Sequence, residues 1–94
     1  MSTRPASLPL PTIPANTSLR IASRLDGALR TNLVAVGPRP SIVGGGAYFL
    51  VASGLDSGPV RDWSRREFPY TVAGEDAARR AFAALVSAAA TVQA

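Results

Sequence analysis

The sequence predicts an α+β fold: a small antiparallel sheet of three to four strands packed on one C-terminal helix, preceded by an extended Pro-rich arm. Three observations point there. Prolines crowd the start, apolar residues then alternate with period two, and an alanine-rich stretch at helical spacing closes the chain. Ninety-four residues accommodate one domain, so the chain divides into an arm over 1–16 and a single α+β domain over 17–94. A domain of this size buries only about 60–65% of the surface its unfolded chain exposes, which keeps the core small.

The arm carries Pro5, Pro9, Pro11 and Pro14. Proline donates no backbone hydrogen bond and keeps its predecessor out of the helical region, so the segment favours extended or polyproline-II geometry. Disordered tails are usually polar. This one holds Leu8, Leu10 and Ile13 with Arg4 as its single charge. Such an apolar strip gains free energy on a groove, and Leu8, Leu10 and Ile13 are the residues expected to dock on a neighbouring subunit.

From Thr17 the pattern has period two, with Leu19, Ile21, Ser23 and Leu25 on one face and Ser18, Arg20, Ala22 and Arg24 on the other. Asp26-Gly27 suits a type I′ hairpin turn, and Leu29, Thr31, Leu33 and Ala35 continue one face of the next strand. Residues 18–30 also fit a helix through Leu19, Ala22, Leu25 and Leu29, a reading that Gly27 penalises. Gly37-Pro38-Arg39-Pro40 reads as a loop. Ile42 to Ser53 reads as an apolar strand in which Gly44-Gly45-Gly46 marks a bulge or bend. The glycines precede a strand and not a helix, which argues against a phosphate-binding loop. Residues 54–59 form a turn. Val60 to Val72 holds Trp63, Phe68 and Tyr70, and Pro69 there implies an edge strand or a strand broken near 64–66. Gly74 ends that strand and Glu75-Asp76 opens the helix, whose stripe is Ala78, Phe82, Leu85, Ala89 and Val92, with Ala81 and Ala88 beside it.

Composition narrows the chemistry. Cysteine and histidine are absent, and all ten basic residues are arginine. Disulfides, thiolate and imidazole catalysis, Schiff-base chemistry and a P-loop lysine are thereby excluded. The six acids form no metal-ligand pattern, and Glu75–Arg79 and Asp76–Arg80 stand at the acid-first i, i+4 spacing that supports a helix. The expectation is no enzyme, no catalytic or metal site, no cofactor and no small-molecule substrate. No leader or membrane span stands out, so the expected setting is soluble, intracellular or within a virion.

The net charge of +4 lies entirely in the first half, where five arginines face Asp26 alone. Arg20 and Arg24 on the polar face of the first strand, with Arg30 past the turn, could form a basic β-ribbon for nucleic acid. Arg61, Trp63 and Arg65 interleave cations with an aromatic on what would be one strand face. Against this, polar-face arginines also guard edge strands, and Asp62 and Glu67 nearly cancel the second cluster. The leading expectation is therefore a non-catalytic structural or assembly protein, a subunit of a homo-oligomeric or virion-type (phage capsid or tail) assembly whose arm docks on a neighbour. A small nucleic-acid-binding accessory or regulatory protein is the alternative, and a protein inhibitor or adaptor the second alternative.

Overall fold

The computed structural model describes residues 10–41, 43 and 45–93, with side chains up to residue 90. Its elements are β1 (Ser18–Asp26), β2 (Leu29–Val36), β3 (Tyr48–Leu55), a 3-10 turn (Val60–Asp62), β4 (Ser64–Pro69) and α1 (Val72–Gln93). The strands form one antiparallel sheet in the order β1-β2-β3-β4, and α1 packs across all four. The expected α+β architecture is the one observed, with four strands. No helix among the described residues is long and apolar enough to cross a membrane.

One face of the sheet meets the helix. Leu33 and Ala35 of β2, Phe49 and Val51 of β3 and Phe68 of β4 are buried there against Ala78. Thr31 and Ser53 lie opposite each other at the end of this face, also buried, with their hydroxyls 3.3 Å apart. That contact satisfies two polar groups that burial would otherwise penalise. Ala78 is fully buried, which lets the helix backbone approach the sheet closely. Leu85 falls off the buried stripe and is 36% exposed, while the side chain of Val92 lies outside the described residues.

The hairpin joining β1 and β2 is observed in place of the helical alternative for residues 18–30. Its turn differs in type. Gly27 alone adopts a positive φ, 61°, and Asp26 pairs with Leu29, so Gly27 stands first of two central residues, as in a type II′ turn. The larger departure is a bulge. Arg20 pairs with Val34 but Ala22 with Leu33, leaving Ile21 as the extra residue. The alternation therefore reverses within β1. Leu19 lies on the helix side and Leu25 on the opposite side, and both remain exposed.

Two further expectations are corrected. The apolar strand starts at Tyr48, not Ile42, and Gly45 and Gly46 belong to the β2–β3 connection. Ile42 and Gly44 lie outside the described residues. Gly74 does not end a strand, because the helix begins at Val72 and is capped by Thr71, whose Oγ1 accepts the Gly74 N–H at 2.9 Å. The edge-strand expectation for Pro69 is the one observed, since Pro69 is the last residue of β4 at the edge of the sheet.

The described end of the arm folds onto its own domain. Ile13 is 8% exposed within the core cluster and Leu10 packs beside it. Backbone bonds fix the crossing: Asn16 N–H donates to Pro38 O and Gly37 N–H to Thr17 O, both at 2.8 Å. The Tyr70 hydroxyl donates to Pro11 O. Ile13 thus packs in the core of its own chain with Leu10 half-buried against it, and Leu8 lies outside the described set.

Candidate functional site

Pleating sends alternate residues of β2, β3 and β4 to the face opposite the helix. The register stacks them into rows across the sheet: Ser18, Val36, Tyr48, Pro69; then Arg20, Val34, Leu50, Glu67; then Ser23, Asn32, Ala52, Arg65. Val36 is buried, whereas Val34, Tyr48, Leu50 and Ala52 are only half-buried. An aliphatic surface thus runs down the middle of an open face, with polar and charged residues along both edges.

Of the six candidate nucleic-acid contacts, four gather at this face. Arg20 and Arg65 lie at opposite edges, and Arg30 sits across from Gly54. Trp63 covers Gly54, whose missing side chain makes room for the indole. Arg24 and Arg61 do not join them. The Ile21 bulge turns Arg24 to the helix side, where it meets Asp26 at 3.5 Å, and Arg61 lies in the 3-10 turn. The single face expected for Arg61, Trp63 and Arg65 does not form, because that turn precedes β4.

Two of the four are committed locally. The Arg30 guanidinium donates to Asp56 Oδ1 at 2.7 Å and to Ser23 Oγ at 2.8 Å, and Ser23 in turn donates to Asn32 Oδ1 at 2.6 Å. This network ties β1, β2 and the turn after β3 together. The Trp63 indole N–H donates to Leu55 O at 3.1 Å, which fixes the ring at the corner of the sheet. Arg20, Arg65 and Glu67 have no ion pair among the described residues. These three are the charges of the open face that no ion pair among the described residues takes up.

Concave sites offer less. A cavity of about 230 Å³ lies between the arm, β1 and α1, lined by Leu10, Ile13, Phe49 and Tyr70 with the Glu75–Arg79 pair at 3.2 Å beside them. Its volume is below the roughly 300 Å³ at which small-molecule pockets begin. A second hollow, about 300 Å³, runs between β4 and α1 past Arg66 and Leu85. Arg66 is drawn over the Phe68 ring, 5.1 Å from its centroid, so that cation already has an aromatic partner. Asp76–Arg80 closes at 3.2 Å on the exposed side of α1, as the spacing predicts. Among the described residues no group of three or more acids converges. Neither a protein-family model, a curated protein nor a solved structure matches this chain.

Proposed function

We propose that this chain is a non-catalytic assembly module whose working surface is the open face of its sheet, and that it acts as a subunit of a homo-oligomer. The observation that carries the reading is the asymmetry of the two faces. One is sealed by α1, while the other leaves Val34, Tyr48, Leu50 and Ala52 half-exposed in a contiguous group. Side chains of this kind at the middle of a sheet gain about 25 cal/mol for each further Å² of apolar surface removed from water. The residue inventory supports a passive role, since the chain holds no histidine, cysteine or lysine.

The test is Leu50→Arg. Leu50 is not part of the buried core, so the fold should tolerate a cation there. Sedimentation of the wild-type chain should show mass rising with concentration, and the variant should remain monomeric with an unchanged circular dichroism spectrum. A wild-type chain that stays monomeric at ~500 µM, well above the micromolar dissociation constants of weak specific complexes, defeats the reading. A nucleic-acid interface is the second reading, favoured by one observation: Arg20 and Arg65, both without an ion pair among the described residues, share this face with Trp63. It is the weaker one, because the centre of the face is aliphatic and Glu67 sits among the arginines.

A further inference from the structure

We infer that a second copy of this chain docks face to face on the open sheet about a two-fold axis parallel to the strands, setting Arg20 of each copy against Glu67 of the other. The inference rests on the assembly reading above and names its partner and geometry.

The row Arg20, Val34, Leu50, Glu67 crosses all four strands with a cation at one end, an anion at the other and two aliphatic residues between. Three strand spacings separate the two charges, about 14 Å, so they cannot satisfy each other within one chain. Sheets stacked face to face sit about 10 Å apart, a gap that an arginine and a glutamate reaching from opposite sides can close. A two-fold axis parallel to the strands lays β1 of one copy over β4 of the other. Each Arg20 then meets a Glu67, each Val34 meets a Leu50, and the contact occurs twice. An axis perpendicular to the strands instead lays β1 over β1, placing Arg20 on Arg20 and Glu67 on Glu67. Charge therefore selects the first arrangement and disfavours the second. The next row agrees, since Arg65 falls over Ser23 and meets no like charge.

Size sets the strength. Four strands about 4.8 Å apart and six residues long present about 400 Å² per copy, or about 800 Å² in total. That is the low end for a specific interface, so the dimer should dissociate in the micromolar range.

The test uses the full chain at low salt, with circular dichroism confirming each fold. Arg20→Glu and Glu67→Arg should each weaken homodimerisation about tenfold. The double variant should dimerise like the wild type. Mixing the two single variants should also yield a heterodimer, because both of its charge contacts become attractive. A wild-type dimer that ignores both reversals, or single variants that fail to complement on mixing, overturns this geometry while leaving the assembly reading in place. A wild-type chain monomeric at ~500 µM removes both. Salt-dependent binding of single-stranded DNA that Arg20→Glu abolishes, in a chain of constant mass, replaces the inference with the nucleic-acid reading.

Discussion

The Trp63 indole occupies the space in which a side chain at Gly54 would stand, and its N–H reaches the carbonyl of Leu55 next door. Two residues nine apart thus form a single packing unit that closes the corner of the sheet. Glycine normally weakens a strand interior, so Gly54→Ala would be expected to help a bare strand. Here the added methyl must displace the indole, and we expect a net loss of about 1–3 kcal/mol. Trp63 is the sole tryptophan in the chain, so fluorescence reports on it alone. Its emission should shift to the red as the ring moves into water. Unchanged stability and emission would show that the indole does not depend on this contact. The sequence placed Trp63 among arginines and offered two readings, a ring that stacks on a base and a ring at the core or its rim. Nothing in the local pattern reveals that its anchor is a glycine on the preceding strand.

Elements were legible where one signal dominated. The Leu29, Thr31, Leu33, Ala35 alternation gives the observed inner face of β2, because no bulge interrupts it. The helix followed from its alanines and its acid-first pairs, both of which close at 3.2 Å. What could not be read was the phase of β1. A bulge inserts one residue without a compositional mark, and Ile21 looks like any other strand residue, yet it moves Arg24 away from Arg20 and dissolves the proposed basic ribbon. The candidate site was likewise legible as residues but not as a surface: Arg20, Trp63 and Arg65 were named, whereas Val34, Leu50 and Glu67 acquire meaning only through the register. The start of α1 was missed because Gly74 resembles a terminator, although Thr71 three residues earlier is the capping signal. Thr71→Ala should therefore cost about 1 kcal/mol, seen as a lower midpoint in thermal unfolding followed by circular dichroism. No loss would mean that solvent or a neighbouring group replaces the cap.

At the scale of the molecule, one helix on one sheet makes a thin body, 39 × 32 × 15 Å. That thinness leaves the face opposite the helix open to water. A face-to-face dimer would bury about 400 Å² of it per copy. The arm is the other route by which such a chain could gain burial, and the structure uses it internally: Ile13 in the core, Tyr70 holding Pro11, and Asn16 bonded to Pro38. These two modes separate by their dependence on concentration. Ile13→Ala removes buried methyl and methylene groups from the monomer and should cost about 2–4 kcal/mol. For a domain under a hundred residues that corresponds to a fall in Tm of about 10 °C or more. Because the contact is made within one chain, the fall should be the same at every protein concentration. Leu50→Arg should instead remove only the concentration-dependent part of the stability, since mass action ties that part to the second copy. Differential scanning calorimetry of both variants across a hundredfold dilution reads the two effects separately. A Tm penalty for Ile13→Ala that vanishes on dilution would mean that the arm packs on a neighbouring chain, exchanging the same core contact between copies.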